Sequence, residues 1–322
     1  MTVTVIGAGV IGLTTAVVLA ERGYPVRVLT AEPPADTTSA VAGAIWGPYR
    51  SGPVESVDRW SATSLSIFTD LARQRRSGVR LLAGREVSKR RVEPPRWHDQ
   101  LPAWRYCADH DLPAGAVTGW RYCAPTMDMP VYLNYLLSRL AAAKGRVVRR
   151  VVVSLDDVGP GLVVNCSGMG ARRLAQDTTV LPVRGQHVIV GNPGLAEFFM
   201  EDVGASTELV GVYPQGDRVV LGGTAIQGSE DRTVDMATAK EIVARCSRVF
   251  PALATAPVLA HKVGIRPARG SVRLERLRLR SGRWCVHNYG HGGAGVTLAW
   301  GCAYQAVDLV AEVLGPAPGC DG

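Results

Sequence analysis

No two of the seven cysteines stand in a CxxC pair, and their number is odd. That argues against a disulfide framework. Cys107, Cys123, Cys166, Cys246, Cys285, Cys302 and Cys320 read instead as the reduced thiols of a cytoplasmic protein. No apolar run is long enough to cross a bilayer, so no membrane partner is expected. No charged n-region or cleavage site precedes the first strand-like stretch, and the closing Pro-Gly-Cys-Asp-Gly is not a peroxisomal address, which again gives a cytoplasmic expectation. The net charge is +8, yet there is no basic tail and no aromatic-basic stripe. Arg75-Arg76, Lys89-Arg90-Arg91, Arg149-Arg150 and the scattered arginines from Arg273 to Arg283 read as solvated faces, so nucleic acid is not expected. An anionic small molecule would suit the sign. Internal repeats and low-complexity segments are also missing.

Hydrophobic residues make up 47% of the 322-residue chain and charged residues 20%, enough for two domains or one large α/β domain. Residues 2–6 read as a buried parallel strand, GAGVIG as a turn into the helix LTTAVVLAERG, and 26–30 as the next strand. This is a βαβ unit of the length a dinucleotide fold needs. Further helices are predicted over 60–74, 131–144, 236–249 and 297–314. Strands are predicted over 146–153, 161–166, 183–190, 218–222 and 284–288. The alternation predicts an α/β Rossmann-like nucleotide domain with an inserted mixed α+β substrate domain. The expected boundaries are 1–50, 140–185 and 255–322 for the discontinuous nucleotide domain, and 51–139 and 186–254 for the insertion.

Gly7-Ala8-Gly9-Val10-Ile11-Gly12 is a GxGxxG between a strand and a helix. The first glycine permits the tight turn, the second lets the backbone approach a pyrophosphate, and the third lets helix and strand pack closely. The helix N-terminus adds free N–H groups and a positive dipole end. Glu32, twenty residues past Gly12, is placed to bind ribose hydroxyls. The motif does not distinguish FAD from NAD. After it, Thr37, Thr38, Ser39 and the small residues through Gly43, Ala44 and Ile45 suit a segment passing a flat ring system and a second phosphate.

Two further stretches carry chemistry. In HKVGIRPARG, Arg266 stands among apolar and rigid neighbours, either bonding carbonyls or offering a guanidinium fork to a carboxylate. In HNYGHGGAGVT, four of eleven residues are glycine. This is a linker, a metal site, or a backbone shaped around a ligand. A strand and a helix bracket it, which speaks against a linker. His287 and His291 lie in a glycine turn without a carboxylate partner, so no metal is expected and both read as structural histidines.

Taken together these segments resemble the D-amino-acid oxidase family of FAD-dependent flavoenzymes. VTVIGAGVIGLTTA, TTSAVAGAIWGPY, VNCSGMGA with PVRGQ, VGIRPARGSVRLE and HNYGHGGAGVTLAWGCA occur in the family's order across about residues 3–312. The resemblance implies FAD as cofactor and Arg266 as the carboxylate anchor. It implies that the Gly293 carbonyl meets the substrate amine. It also implies that the backbone amides around Gly292, Gly293, Ala294, Gly295 and Val296, with the Thr297 hydroxyl, face the flavin, with Val148, Ser167 and Gly168 as further cofactor contacts. The chain departs from the family in one respect. The tyrosine expected three positions before Pro214 is Gly211, and a second lid tyrosine is matched by Thr207. Tyr213 shares a strand face with position 211, and Tyr49 lies beside Trp46, so these two are the compensating candidates. Glu201-Asp202, in the expected lid, would attract a basic side chain.

The activity implied is oxidative deamination of a D-amino acid by hydride transfer from Cα to flavin N5. The products are a 2-oxo acid, ammonia and hydrogen peroxide, with dioxygen as oxidant. The alternatives are a glycine-, sarcosine- or specialised secondary-metabolism amine oxidase, a non-catalytic flavin-binding module, or an NAD-dependent dehydrogenase. A homodimer is left open.

Overall fold

The computed structural model describes residues 1–49, 51–202 and 207–316, the side chain of Asp202 excepted. Its first unit is β1 (Val3–Ile6), α1 (Val10–Glu21) and β2 (Val26–Thr30). β1 is buried along its whole length, as a central parallel strand should be. α1 is buried over ten of its twelve residues and ends where Gly23 turns left-handed at φ 90°.

α2 (Thr38–Val41), α3 (Val54–Leu71), β3 (Val79–Ser88), β4 (Arg105–Tyr106), β5 (Thr118–Met127) and α4 (Met129–Ala142) follow. Next come β6 (Arg146–Arg149), β7 (Leu162–Asn165), α5 (Ala171–Leu174), β8 (Leu181–Gly191), β9 (Phe198–Asp202), β10 (Glu208–Gln215), β11 (Arg218–Thr224) and β12 (Ile226–Gln227). α6 (Met236–Val249), β13 (Val258–Arg278), β14 (Trp284–His291) and α7 (Gly295–Leu314) complete the chain. α6 has its expected bounds because Asp235 caps it, accepting from the Ala237 and Thr238 amides.

One sheet runs through the molecule in the order β4-β5-β3-β9-β10-β11-β8-β13-β14-β7-β1-β2-β6, with β12 on β8. From β14 to β6 the neighbours are parallel, the doubly wound half. From β4 to β13 they are antiparallel except for β3 on β9. β13 joins the halves: Val258–Ala268 pairs with β8, and beyond an irregularity Arg273–Arg278 pairs with β14. No strand is expected from sequence here, since Gly264, Pro267 and Gly270 interrupt the run. β3, β4, β5, β9 and β12 are likewise additions to the predicted elements. β8 crosses the expected 185/186 boundary and α4 the 139/140 boundary.

α1, α4, α3 and α7 pack together against the sheet around Leu13, Phe68, Tyr132 and Trp300. Gly301 lets α7 cross α3 closely: a Cβ there would sit 2.3 Å from the Trp60 Cα. A second core joins α6 to β8, β10 and β11 through Ile242, Val188, Val212 and Leu221.

Candidate active site

The parallel strands β1, β2, β7 and β14 all end at one cavity of about 350 Å³. That is where an open α/β sheet takes its ligand. At one end is the glycine turn. Gly7 has φ 102°, and a Cβ there would lie 2.5 Å from the Cys166 carbonyl oxygen. A Cβ on Gly12 would lie 1.9 Å from the Gly7 oxygen, so Gly12 serves packing and does not line the cavity. Gly7, Ala8, Gly9, Val10 and Ile11 do line it. Ser39 Oγ accepts from the Val10 amide at 2.9 Å, satisfying one orphan donor of α1 and tying the 37–42 segment to the helix N-terminus. Glu32, two residues beyond β2, lines the cavity with Thr37, Thr38, Ser167 and Gly168 and pairs with Arg232 at 3.1 Å.

At the other end Gly290 and Gly292 adopt φ 85° and 54°, which an L side chain resists. Gly292, Gly293, Gly295 and Val296 line the cavity. The nearest protein atom to a Cβ on Gly293 would be Arg266 Cδ at 3.9 Å, an ordinary contact. A side chain at 293 would therefore leave the protein undisturbed and enter the ligand's space.

Several sequence expectations need correction. Thr297 Oγ1 accepts from the Gly47 amide at 3.1 Å and donates to the Gly47 carbonyl at 3.0 Å, so its hydroxyl is already engaged by backbone. The Ala294 amide, expected to face the flavin, donates to the His291 carbonyl at 3.0 Å, and the residue does not line the cavity. Val148 pairs with Leu29 on the edge strand β6 and does not line the cavity, whereas Val151 and Val152 do. Gly43, Ala44 and Ile45 are also outside the lining: the Ala44 carbonyl accepts from the Met127 amide, and Ile45 bridges to Thr126. This binds the segment to β5, and Val41 and Ala42 face the cavity in its place. Glu201 pairs with Lys89 at 2.8 Å, and the Asp202 side chain lies outside the described residues, as do Arg50 and Cys320.

Arg266 rises from β13 over Gly185 of β8. A Cβ at Gly185 would lie 2.3 Å from the Arg266 Nη1, so only glycine admits the guanidinium there. Nη1 donates to the Thr224 carbonyl at 3.0 Å. Among the described residues no carboxylate pairs with Arg266, and burial lowers its pKa. A desolvated guanidinium without a counter-ion is a site for an anion. Tyr213 and then Tyr49 are the groups that raise the Arg266 pKa, though neither is part of the cavity lining.

The Tyr213 ring lies across Gly211: a Cβ there would be 2.5 Å from its hydroxyl oxygen. Gly43 and Gly222 clear room for the same ring, at 2.9 and 3.5 Å. Tyr213 thus fills the space that a side chain at 211 would take. Burial, and then Glu86, raises its pKa, so the hydroxyl keeps its proton. Tyr49 is half exposed, and Thr207 is exposed.

Sequence reasoning missed His187. Its Nδ1 donates to the Val41 carbonyl at 2.9 Å, and the ring lines the cavity. Burial and then Arg266 hold its pKa down to about 4, so it is neutral. The PVRGQ motif marks its neighbourhood without giving the residue a role. His287 and His291 are buried and neutral, with pKa values pushed down by burial to about 4 and about 3. Asn165 Nδ2 donates to His287 Nδ1 at 3.2 Å. His291 Nε2 has no partner within the protein, an orphaned polar atom at the cavity wall. No group of three or more metal-ligating side chains gathers among the described residues.

Behind the glycine turn, Asp177 accepts from Tyr289 at 2.9 Å and from Arg269 at 3.1 Å. Burial alone would raise its pKa, but hydrogen bonds from Thr179 and Tyr289 hold it down to about 2. Asp177→Asn should lower stability by about 2–4 kcal/mol, since it leaves Arg269 without its charge partner and Arg273 with Glu275 alone. The urea midpoint checks this, and a shift equivalent to less than about 0.5 kcal/mol would reduce the network to decoration.

Residues 2–309 match the protein family described as FAD dependent oxidoreductase (DAO). The D-amino-acid oxidase of Rubrobacter xylanophilus is 47% identical over 313 residues, covering 96% of this chain and 96% of that protein. The D-amino-acid oxidase of Streptomyces coelicolor is 47% identical over 309 residues, covering 95% and 96%. Among solved structures, glycine oxidase from Geobacillus kaustophilus superimposes with a TM-score of 0.80 at 20% identity over 96% of this chain and 94% of that one, a likeness of fold.

Proposed function

The chain belongs to the DAO family of FAD-dependent oxidoreductases, and on that premise we propose that it deaminates a D-amino acid oxidatively, through the residues now assigned. The observation that carries the reading is Arg266, a part-buried guanidinium with no carboxylate partner among the described residues, lining the same cavity as the glycine turn Gly7–Ile11.

The residues fit FAD. The glycine turn offers unpaired amides at a helix N-terminus for a diphosphate. Glu32 suits ribose hydroxyls, and the Gly292–Gly293 backbone leaves a wall without side chains for a ring. When bound, the flavin supplies the acceptor for the hydride and the route onward to the oxidant. The chain does the rest by orientation. Arg266 grips the carboxylate, with the protonated Tyr213 hydroxyl and Tyr49 as the two phenols whose electrostatics reach that anchor. The Gly293 carbonyl is assigned to the amine. With both ends held, Cα–H has one direction to face. No side chain need act as a strong base when the amine arrives neutral, and the imine released then takes up water to give the 2-oxo acid and ammonia.

The reading includes dioxygen as oxidant, hydrogen peroxide as product and a cytoplasmic location, the last supported by six free cysteines among the described residues. The two domain segments share the work, cofactor on the parallel half and substrate over β8, β10 and β11; assembly as a monomer or homodimer is read by light scattering. Anaerobic reduction of the bound flavin by a panel of D-amino acids, glycine and N-methyl amines tests the activity. Bleaching by D-amino acids is expected. Bleaching by glycine or sarcosine alone would favour the small-amine alternative, and no bleaching by any amine would leave a flavin-binding module.

Gly293→Val should abolish turnover or flavin binding while the apoprotein stays folded, because the added atoms meet cavity and not protein. His291→Gln, which keeps a polar group at the wall, should cost far less. The contrast between the two in flavin content and kcat checks the assignment.

A further inference from the structure

Residues Ser229 to Asp235 link β12 to α6 as a strap that brings Arg232 to the Glu32 end of the cavity, the end assigned to the adenosine of FAD. Two buried side chains of β8 hold its backbone. Arg184 donates through Nε to the Asp231 carbonyl at 2.9 Å and through Nη2 to the Thr233 carbonyl at 2.6 Å. Gln186 donates to the Asp235 carbonyl at 2.6 Å and accepts from the Asp235 amide at 3.0 Å. Arg184 also donates to Gln186 Oε1 at 2.9 Å, so the two act as one clamp. An Asx turn, with the Thr233 amide on Asp231 Oδ1 at 2.8 Å, makes residue 232 the corner of the strap. Ion pairs fasten it on both sides: Glu230 with Arg172 at 2.7 Å, and Arg232 with Glu32 at 3.1 Å.

Arg232 therefore reaches across 200 residues of sequence to the acid placed for the ribose. Arg150 and Arg173 line the same end, their guanidinium groups donating to the carbonyls of Asp157 and Val152. Three guanidinium groups against the Glu32 carboxylate leave this end with a net charge of +2. A diphosphate carries two negative charges, so the match depends on all three cations. Without Arg232, Glu32 is an uncompensated negative charge beside an anionic ligand.

We infer that Arg232 is a cofactor-retaining residue: the clamped strap carries its guanidinium to the adenosine end, where it neutralises Glu32 and completes the charge match for the diphosphate of FAD. The inference rests on FAD as the resident cofactor. A colourless protein that takes up no added FAD would remove that premise before any variant was compared.

The test is the rate of FAD release from the holoenzyme, followed by the rise in flavin fluorescence on dilution, for the parent, Arg232→Gln and Arg232→Lys. Arg232→Gln should release FAD about fivefold faster or more, the scale of a partly exposed ion pair that also meets a charged ligand. Molar salt should shrink the difference. Arg232→Lys should recover part of it. The apoprotein's thermal midpoint should not move, since the pair is half exposed. FMN, which lacks the adenosine arm, should be held equally well by parent and variant. Glu32→Gln combined with Arg232→Gln should release FAD more slowly than Arg232→Gln alone, because the uncompensated charge is gone. Unchanged FAD release in Arg232→Gln, or an equal loss of FMN and FAD, would overturn the inference.

Discussion

Arg266→Ala is expected to lower kcat/KM on carboxylate-bearing amines by roughly 30- to 4,000-fold, while the purified protein stays yellow. Truncating one partner of a desolvated charge pair costs about 2–5 kcal/mol or more, and each 1.4 kcal/mol is a factor of about ten. The loss should fall mainly on substrate binding and on the fraction of bound substrate held for transfer. Arg266→Lys should recover only part of it, since an ammonium offers a point charge in place of a planar fork. Gly185→Ala is a sharper control. The introduced Cβ would lie 2.3 Å from Nη1 of the anchor, and a flexible guanidinium can move aside, so the chain folds but the anchor is misplaced. Activity that stays within tenfold of the parent in Arg266→Ala would assign the carboxylate elsewhere.

The same substitution carries a stability prediction of opposite sign. A part-buried guanidinium with no carboxylate beside it is desolvated without compensation and held at an energetic loss. Its removal should leave the apoprotein's thermal midpoint unchanged or raise it, despite the hydrogen bond to Thr224 that goes with it. Residues kept for function at the expense of stability behave in this way, whereas a structural arginine bonding carbonyls would not. Stability and activity measured together therefore separate the two readings of Arg266 that the sequence left open.

What was legible in the sequence followed from local rules. The β1-α1-β2 unit, the glycine turn and the bounds of α6 depend on residues close in the chain, where periodicity and capping decide. The partnership of Gly211 and Tyr213 is legible for the same reason, because residues two apart share a strand face. Long-range pairing was not legible. β13 hides behind Pro267 and its glycines, and only its partners on β8 and β14 make it a strand. The Thr297 hydroxyl looked free until Gly47, 250 residues away, proved to hold it. Ala44 and Ile45 are polar-backbone candidates in any sequence, yet β5 takes them. The Arg184–Gln186 clamp on the 231–235 backbone has no motif that reveals it, since a side chain bonding carbonyls places no demand on the identity of the residues it holds.

The apoprotein should lose roughly 4–6 kcal/mol of stability between pH 8 and pH 5. His187, His287 and His291 are buried and neutral, with pKa values lowered to about 4, about 4 and about 3. In the unfolded chain each returns to about 6.5. Lowered values mean that the unfolded state binds more protons, so stability is fully present above about pH 6.5 and declines as the pH falls through the window down to 4. At pH 5 each ring contributes roughly 2 kcal/mol to the decline, a large share of the 5–15 kcal/mol typical of a domain. Burial is the largest cause for all three; His187 and His291 line the cavity, and for His287, behind it, Glu275 and Asp177 offset the burial only in part. Asp177 adds nothing in this range: its lowered pKa of about 2 withdraws stability only below the ordinary carboxylate value. Urea midpoints measured across pH 8 to 5 on apoprotein read the slope, and unfolding at pH 5 should take up close to three protons from these side chains. Replacing His287 by glutamine, which cannot titrate, should flatten the slope by about a third even if it lowers the plateau. A stability that is level from pH 7 to pH 5 would mean that these rings are solvated or charged in the fold, and with that the dry cavity wall at His187 and His291 would be lost as well.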